Sequence, residues 1–443
     1  MGDRVVPLDN DEAFPAKCAK GGEAQAAAAP LNHHADTGGN GEATRAKARH
    51  VTVARYPYAP SLSFPQSRAR SQPSALAPNE RIPSDCVKTF TLRDGPARKE
   101  LAAMDAQGKL EKVGFPREWS PFLSLDDAPD VYEWLKMLLL FPLMIARAVL
   151  IVVHLSTLWV VASVKLLGLP SDSISGSKPM PWWRNALFAF AQRVVITSLM
   201  TCCGVFVSYK GTQYVRAAKG KEVVAIFNHV SFLDPFCLIR LTAVTGVARA
   251  GIDDMPFIGK IGKAMQAVFV ARKGLNEKSS TSRKGGTINT LKGRLEHAAH
   301  YPLLCIAPEG TTHNGQCVVK FQTGAFALGR PVLPILIKYP YRHFNPAWTF
   351  ADTGWLLVRL LSQFYTRVEV RVMPLRVPST EEEKDPAVFA SNVQQEMAAA
   401  LNVPAIDQDL YDGKAIQAAG ITVNMWGKVV KVDPRTVTRQ SWI

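Results

Sequence analysis

Of the nine histidines in the chain, only His229 has an aspartate five positions on, Asp234, within Asn228-His229-Val230-Ser231-Phe232-Leu233-Asp234-Pro235. The stretch follows a short apolar run, Val223–Phe227, that reads as a buried strand, and Asp234-Pro235 reads as a helix start with Asp as N-cap. Four intervening residues let the two side chains meet across one turn. A carboxylate accepting Nδ1–H would fix the imidazole tautomer and leave Nε2 to take a proton from a hydroxyl. That is the base-and-orienter half of a catalytic triad, and it needs no side-chain nucleophile when the substrate brings its own hydroxyl. The plainer alternative is a capping aspartate beside a structural histidine.

Three further clusters follow in order. Phe269-Val270-Ala271-Arg272 closes an apolar run, Pro308-Glu309-Gly310-Thr311-Thr312 closes another, and Val332-Leu333-Pro334-Ile335 opens a third. All sit at strand ends, where open α/β sheets place ligands. A guanidinium at 272 can grip a phosphate bidentately, although a solvated arginine at a strand end is the ordinary alternative. Gly310 permits a tight turn and close backbone approach, and the Thr311 hydroxyl can donate. His313 reads as a turn residue, and Pro334 belongs at an edge or a strand start. His297 and His300 read as exposed residues at a helix end, and no metal cluster is evident. Backbone N–H groups around the Asp234 helix start are candidate oxyanion donors.

The elements that must position these residues alternate from about 208 to 380. Strands are expected at Val223–Phe227, Val244–Ala248, Ala267–Ala271, Leu303–Ala307, Val332–Lys338 and Val368–Met373. Helices are expected at Pro235–Leu241, Ile258–Met265, Ile288–Ala299 and Gly324–Leu328, with one more at Pro386–Leu401. The fold class is therefore α/β, a mostly parallel sheet flanked by helices and preceded by N-terminal membrane-embedded helices. Four regions follow: 1–125, a disordered basic N-terminal region; 131–207, membrane-embedded or interfacial helices; 208–380, the catalytic domain; 381–443, a C-terminal helix and tail.

With these blocks in view, the chain resembles the membrane-bound glycerolipid acyltransferases, defined by HX4D, Phe-x-x-Arg, Glu-Gly-Thr and Pro-containing apolar blocks. It is most similar to the lysophosphatidylcholine/lysophosphatidylethanolamine branch, of plant and algal type, through the Asn228–Pro235 stretch, Met255-Pro256-Phe257-Ile258-Gly259, Ala264-Met265-Gln266, Pro308–Gly315 and Phe321–Phe326. The resemblance covers residues 183–410. It implies acyl-CoA as co-substrate, no cofactor, and a lysophospholipid hydroxyl that His229, held by Asp234, activates for direct attack on the thioester. It also implies that Asn228, Ser231, Arg272, Glu309, Gly310, Thr311 and Thr312 surround the acceptor, Arg272 on its phosphate. Pro334 falls in the block tied to acyl-CoA binding or to packing beneath the site, and packing is the role read for it here. Many relatives place arginine after Glu-Gly-Thr; Thr312 stands there instead, which fits the lysophospholipid branch and speaks against glycerol 3-phosphate. Lysophosphatidic acid as acceptor is the nearest rival reading. A non-catalytic lipid-binding protein of the same fold and a metal-dependent hydrolase are readings of other classes.

The formal charge of +15 points to an anionic partner, and no zinc finger or ribonucleoprotein motif favours nucleic acid. Seven cysteines without regular spacing argue against a disulfide framework. Asp3, Asp9, Asp11 and Glu12 stand where a secretory leader needs a basic and then apolar stretch, and Val6 occupies the Ser/Thr position of a myristoylation motif, so neither is expected. Six Lys/Arg and no acid lie between Ala43 and Asn79, a solvated arm or a headgroup-attracting one. A helix around Pro96–Lys112 is a further expectation; His33-His34 is not read as a metal site.

Met137–Val164 is long enough to enter a bilayer core, which needs about 20 apolar helical residues. Pro142 and Arg147 are expected to divide it, leaving open one tilted span or a re-entrant hairpin. Ala186–Val207 is interrupted at Gln192-Arg193 and preceded by Trp182-Trp183-Arg184, which reads as a helix at headgroup level rather than a span. Lys165, Lys178, Arg184 and Arg193 lie toward the catalytic domain, whereas Asp126, Asp127, Asp130 and Glu133 precede the helices. Positive-inside logic puts the domain in the cytosol; the family resemblance implies an endoplasmic-reticulum membrane, with the plastid envelope the lesser choice. From the Phe-x-x-Arg block one prediction follows: Arg272→Ala raises the KM for the acceptor and leaves that for the thioester donor unchanged in steady-state assays.

Overall fold

The computed structural model describes residues 120–431, apart from 125, 127, 250, 271–285, 350, 419 and 428. The basic arm, the Pro96–Lys112 helix, His33-His34 and Arg272 lie outside the described residues.

Among the described residues four helices come first: α1 (Val131–Leu139), α2 (Phe141–Leu166), α3 (Ser171–Ile174) and α4 (Trp182–Cys202). The sheet-bearing part continues through β1 (Val205–Lys210), α5 (Thr212–Ala218), β2 (Val224–Phe227), α6 (Asp234–Leu241), β3 (Val244–Arg249), α7 (Ile258–Ala264) and β4 (Val268–Val270). After it come α8 (Gly286–Glu296), β5 (Leu303–Ile306), β6 (Val332–Lys338), α9 (Thr353–Leu361) and β7 (Thr366–Val372). The chain closes with α10 (Thr380–Lys384), α11 (Pro386–Leu401), α12 (Leu410–Ala418) and the hairpin β8 (Ile421–Val423) and β9 (Val429–Lys431). Among its described residues the C-terminal region thus holds three helices and a hairpin where one helix and a tail were expected.

One seven-stranded sheet runs in the order β1-β7-β6-β2-β5-β3-β4. Every neighbouring pair is parallel except β6 and β7. β2 is central and buried throughout, as the continuous apolar run requires. Its period of two divides it between two cores: Ala225 and Phe227 pack with Cys237 and Leu238 of α6 on one face. Val224 and Ile226 pack with Leu291 of α8 and with Phe389 and Val393 of α11 on the other.

Two expectations fail at the start of the sheet. Residues 205–210 are a strand, not the tail of the preceding apolar helix. Gly204, at φ +72°, ends the helix, and the chain then alternates from buried Val205 to exposed Phe206. Gln192 and Arg193 do not interrupt α4, which runs for 21 residues, so α2 and α4 are both long and apolar enough to cross a membrane by length and composition. The break in the earlier stretch falls at Leu140, with Pro142 in the first turn of α2, where its missing N–H costs no bond.

Arg147 does not divide α2. Its guanidinium is buried and donates to the carbonyls of Leu361 (2.7 Å), Gln363 (2.6 Å), Phe364 (3.3 Å) and Cys202 (3.3 Å). Lys165, about 27 Å further along the helix axis, donates to the Ala264 carbonyl and the Asn185 amide oxygen. Trp159 donates to Pro256 between them. α2 therefore lies along the sheet-bearing part, while Val149, Val152, Val153, Val160 and Val164 remain exposed. The residues just ahead of α1 are also docked. Phe122 and Leu123 are fully buried against Val319, Ile416 and Val423, so the last residues of the N-terminal region pack into a core shared with the C-terminal segment.

Gly211 joins β1 to α5 at φ +75°, and a Cβ there would stand 2.1 Å from the Val372 carbonyl oxygen. Gly211→Ala therefore costs about 2 kcal/mol or more, from the left-handed backbone and the clash together. It lowers the thermal unfolding midpoint of the purified protein.

Candidate active site

β2 ends at Phe227, and its last registered partner on β6 is Ile335. Asn228 continues the ladder with its side chain: Nδ2 donates to the Ile337 carbonyl (2.9 Å), and Oδ1 accepts the Ile337 N–H (2.8 Å). This stitch lets the backbone leave the sheet while β6 stays satisfied. The Phe227 ring meets the His229 ring edge-on at 5.5 Å.

The His229 Nδ1 pairs with Asp234 Oδ2 at 2.7 Å. An ionised carboxylate only accepts, so Nδ1 carries the proton and Nε2 is the basic nitrogen. The same oxygen accepts the N–H groups of Val230 (2.8 Å) and Ser231 (2.9 Å), and Oδ1 accepts the Tyr339 hydroxyl. Asp234 is wholly buried and His229 is 2% exposed. The helix begins at Asp234 itself rather than at Pro235, and the carboxylate turns back onto the loop instead of capping the helix. Its charge still lies in the first turn, where the helix dipole favours it.

That arrangement occupies four of the N–H groups around the helix start. The N–H groups of Val230 and Ser231 go to Asp234, that of Leu233 to the Ser231 hydroxyl (3.3 Å), and that of Asp234 to the Ser231 carbonyl (3.1 Å). A turn that wraps a carboxylate with its own N–H groups has none of these four left for a substrate.

Glu309 approaches from β5, the other neighbour of β2. It is fully buried; Oε2 accepts the His229 backbone N–H (2.6 Å), and Oε1 accepts His313 Nε2–H (3.0 Å). His313 Nδ1 accepts the Gly315 N–H at 3.1 Å, which sets its tautomer. His313 is thus a buried member of this network rather than a plain turn residue. Next to it, the Asn314 N–H donates to Pro121 and its amide to Ser120 and Leu123, tying the N-terminal strap to this loop.

The residues expected around the acceptor divide accordingly. Asn228 and Glu309 hold backbone, Ser231 is fully buried within the turn, and Thr312 is 6% exposed. Gly310 (φ +67°, its N–H closing a turn on Ala307) and Thr311 remain partly exposed. Pro334 is buried in a central strand, not at an edge. The sheet tolerates it because the β6–β7 pairing slips by one residue there. Ile335 faces Val372 on one side, whereas Val332 bridges to Arg376 on the other. Tyr339 carried no signal of its own in the sequence; its place one residue past β6, beside the loop that follows β2, comes from strand order.

No cysteine described near the site is a ready nucleophile. Burial pushes the Cys237 thiol far up, with the Asp234 charge adding to it, and pushes Cys305 up to about 12.

The family model described as Acyltransferase matches residues 206–338, from β1 to the end of β6. Lysophospholipid acyltransferase LPEAT2 of Arabidopsis thaliana is 31% identical over 279 residues, 62% of this chain and 48% of that protein. Lysophosphatidylcholine acyltransferase 2B of Mus musculus is 32% identical over 304 residues, 68% of this chain and 57% of its own. The lysophosphatidylcholine acyltransferase of Drosophila melanogaster is 30% identical over 332 residues, 72% and 59%. The chain spans about half the length of the curated relatives it matches, between 48% and 59% of these three. The chain belongs to the acyltransferase family. Within it, these relatives place the chain on the lysophospholipid and lysophosphatidylcholine branch.

Asn228→Ala leaves the buried N–H and carbonyl of Ile337 without partners, at about 3 kcal/mol for the pair. A lowered denaturant midpoint with an unchanged slope is the expected reading.

Proposed function

We propose that the protein transfers an acyl group from acyl-CoA to the free hydroxyl of a lysophospholipid, lysophosphatidylethanolamine or lysophosphatidylcholine being the preferred acceptors. The observation that carries the reading is the 2.7 Å contact between the His229 ring and a fully buried Asp234. His229 Nε2 takes the hydroxyl proton as the acceptor oxygen attacks the thioester carbonyl. A new C–O bond forms, the C–S bond breaks, and the thiolate of CoA takes the proton back from the imidazolium. The acceptor is the nucleophile, so no acyl-enzyme is needed, in keeping with thiols that burial holds protonated.

Arg272 follows β4 and is assigned to the acceptor phosphate. Gly310 and Thr311, still partly exposed beside the dyad, border the glycerol portion. The outward-facing valines of α2, together with Trp182, Trp183 and Phe190 on α4, support a membrane location. An endoplasmic-reticulum membrane with the catalytic part toward the cytosol fits the charge asymmetry around the helices.

The test is transfer from labelled acyl-CoA in membranes carrying His229→Ala. Loss of proton transfer lowers turnover by about 10²-fold or more, and undiminished turnover rules the mechanism out. A panel of lysophosphatidylethanolamine, lysophosphatidylcholine and lysophosphatidic acid with one acyl-CoA assigns the acceptor. A clear preference for lysophosphatidic acid overturns the choice of headgroup while leaving the chemistry intact.

A further inference from the structure

The apolar block of β6 ends one residue short of Tyr339, and that side chain reaches the site. Its hydroxyl donates to Asp234 Oδ1, the oxygen that the imidazole leaves unused. Ser231 bonds to the same hydroxyl. The ring packs in the core with Phe344 and Ala347 and is 6% exposed. A phenylalanine would fill that core without burying a hydroxyl, which is costly unless the hydroxyl has a partner. Here the partner is the carboxylate that holds the candidate base.

We propose that Tyr339 is a positioning residue that acts on His229 through Asp234, its hydroxyl gripping the far carboxylate oxygen so that the near one stays aimed at the ring. The role of the β6 block is then to deliver this hydroxyl as well as to fill the core. The inference rests on the reading of His229 as the base.

Several titratable groups face this corner. Asp234, Cys237 and Arg240 come from α6, His229 from the loop after β2, Glu309 and His313 from the loop after β5, and Tyr209 from β1, its hydroxyl on the Cys237 carbonyl at 2.9 Å. Burial, with the Asp234 charge adding to it, holds the Tyr339 phenol protonated, so it remains a donor over the working pH range. A hydrogen bond to Asp234 draws on the charge that would otherwise stabilise the imidazolium. Removing it leaves more of that charge to stabilise the imidazolium over the neutral ring. The base must be neutral to act, so the acidic limb of the rate profile moves to higher pH.

The experiment uses the full chain in membranes with lysophosphatidylethanolamine and a long-chain acyl-CoA. Tyr339→Phe is expected to lower kcat about ten-fold, leave the acceptor KM unchanged, and raise the acidic limb of kcat/KM by about half a pH unit or more. A purely structural tyrosine would reduce the amount of active protein without moving the limb, and an unmoved limb overturns the inference. Site-specific 3-fluorotyrosine at 339 keeps the ring and the fold while making a stronger donor. It moves the limb to lower pH, and no movement again overturns the inference, whether or not Tyr339→Phe folds. Activity retained in His229→Ala removes the base reading and this inference with it. An inactive His229→Ala beside an unshifted Tyr339→Phe removes this inference alone.

Discussion

A single carboxylate, that of Asp234, governs the geometry of the whole corner. It is wholly buried, and a buried charge is tolerable only when its lone pairs are met. The imidazole of His229, two backbone N–H groups and one phenol meet them. Satisfying that oxygen pair dictates the turn from Val230 to Asp234 and points the imidazole. It also engages the N–H groups of Val230 and Ser231, while Ser231 takes those of Leu233 and Asp234. The pairing of His229 with Asp234 and the local backbone are thus two results of one electrostatic requirement.

The sheet order brings the remaining parts to this corner. β2 lies between β5 and β6, and both are parallel to it. Their carboxyl ends therefore share one edge, where ligands of open α/β sheets gather. Residues about 80 and 110 positions downstream of His229, Glu309 and Tyr339, consequently become its neighbours. Glu309 takes the backbone N–H of His229 while Tyr339 takes the far side of its carboxylate partner. The His229–Asp234 pair is held from both flanking strands.

The apolar helices are part of the same body. Arg147 and Lys165 project from one side of α2 into carbonyl groups of the sheet-bearing part, while valines cover its other side. Both cations satisfy backbone oxygens that would be orphaned if the helix departed. The strap at Ser120–Leu123 adds a second attachment, reaching the loop that carries His313 and Glu309. The segment before the helices and the sheet after them are consequently packed together.

Local pattern alone was enough for the α/β class, for β6 from Val332 to Lys338 and α11 from Pro386 to Leu401, and for the pairing of His229 with Asp234. Apolar periodicity, caps and a five-residue spacing are short-range properties, so they survive in a linear reading. β1 was missed because its first residues continue an apolar helix without a change in composition, and only Gly204 marks the change of direction. Pro334 was misplaced because the slip that accommodates it arises between β6 and β7, which no single segment records. Tyr339, the second bond of Glu309 and the buried ring of His313 were illegible for the same reason. Which hydroxyl or carboxylate meets a buried donor depends on which strands become neighbours, and strand order is a property of the folded sheet rather than of any stretch of chain.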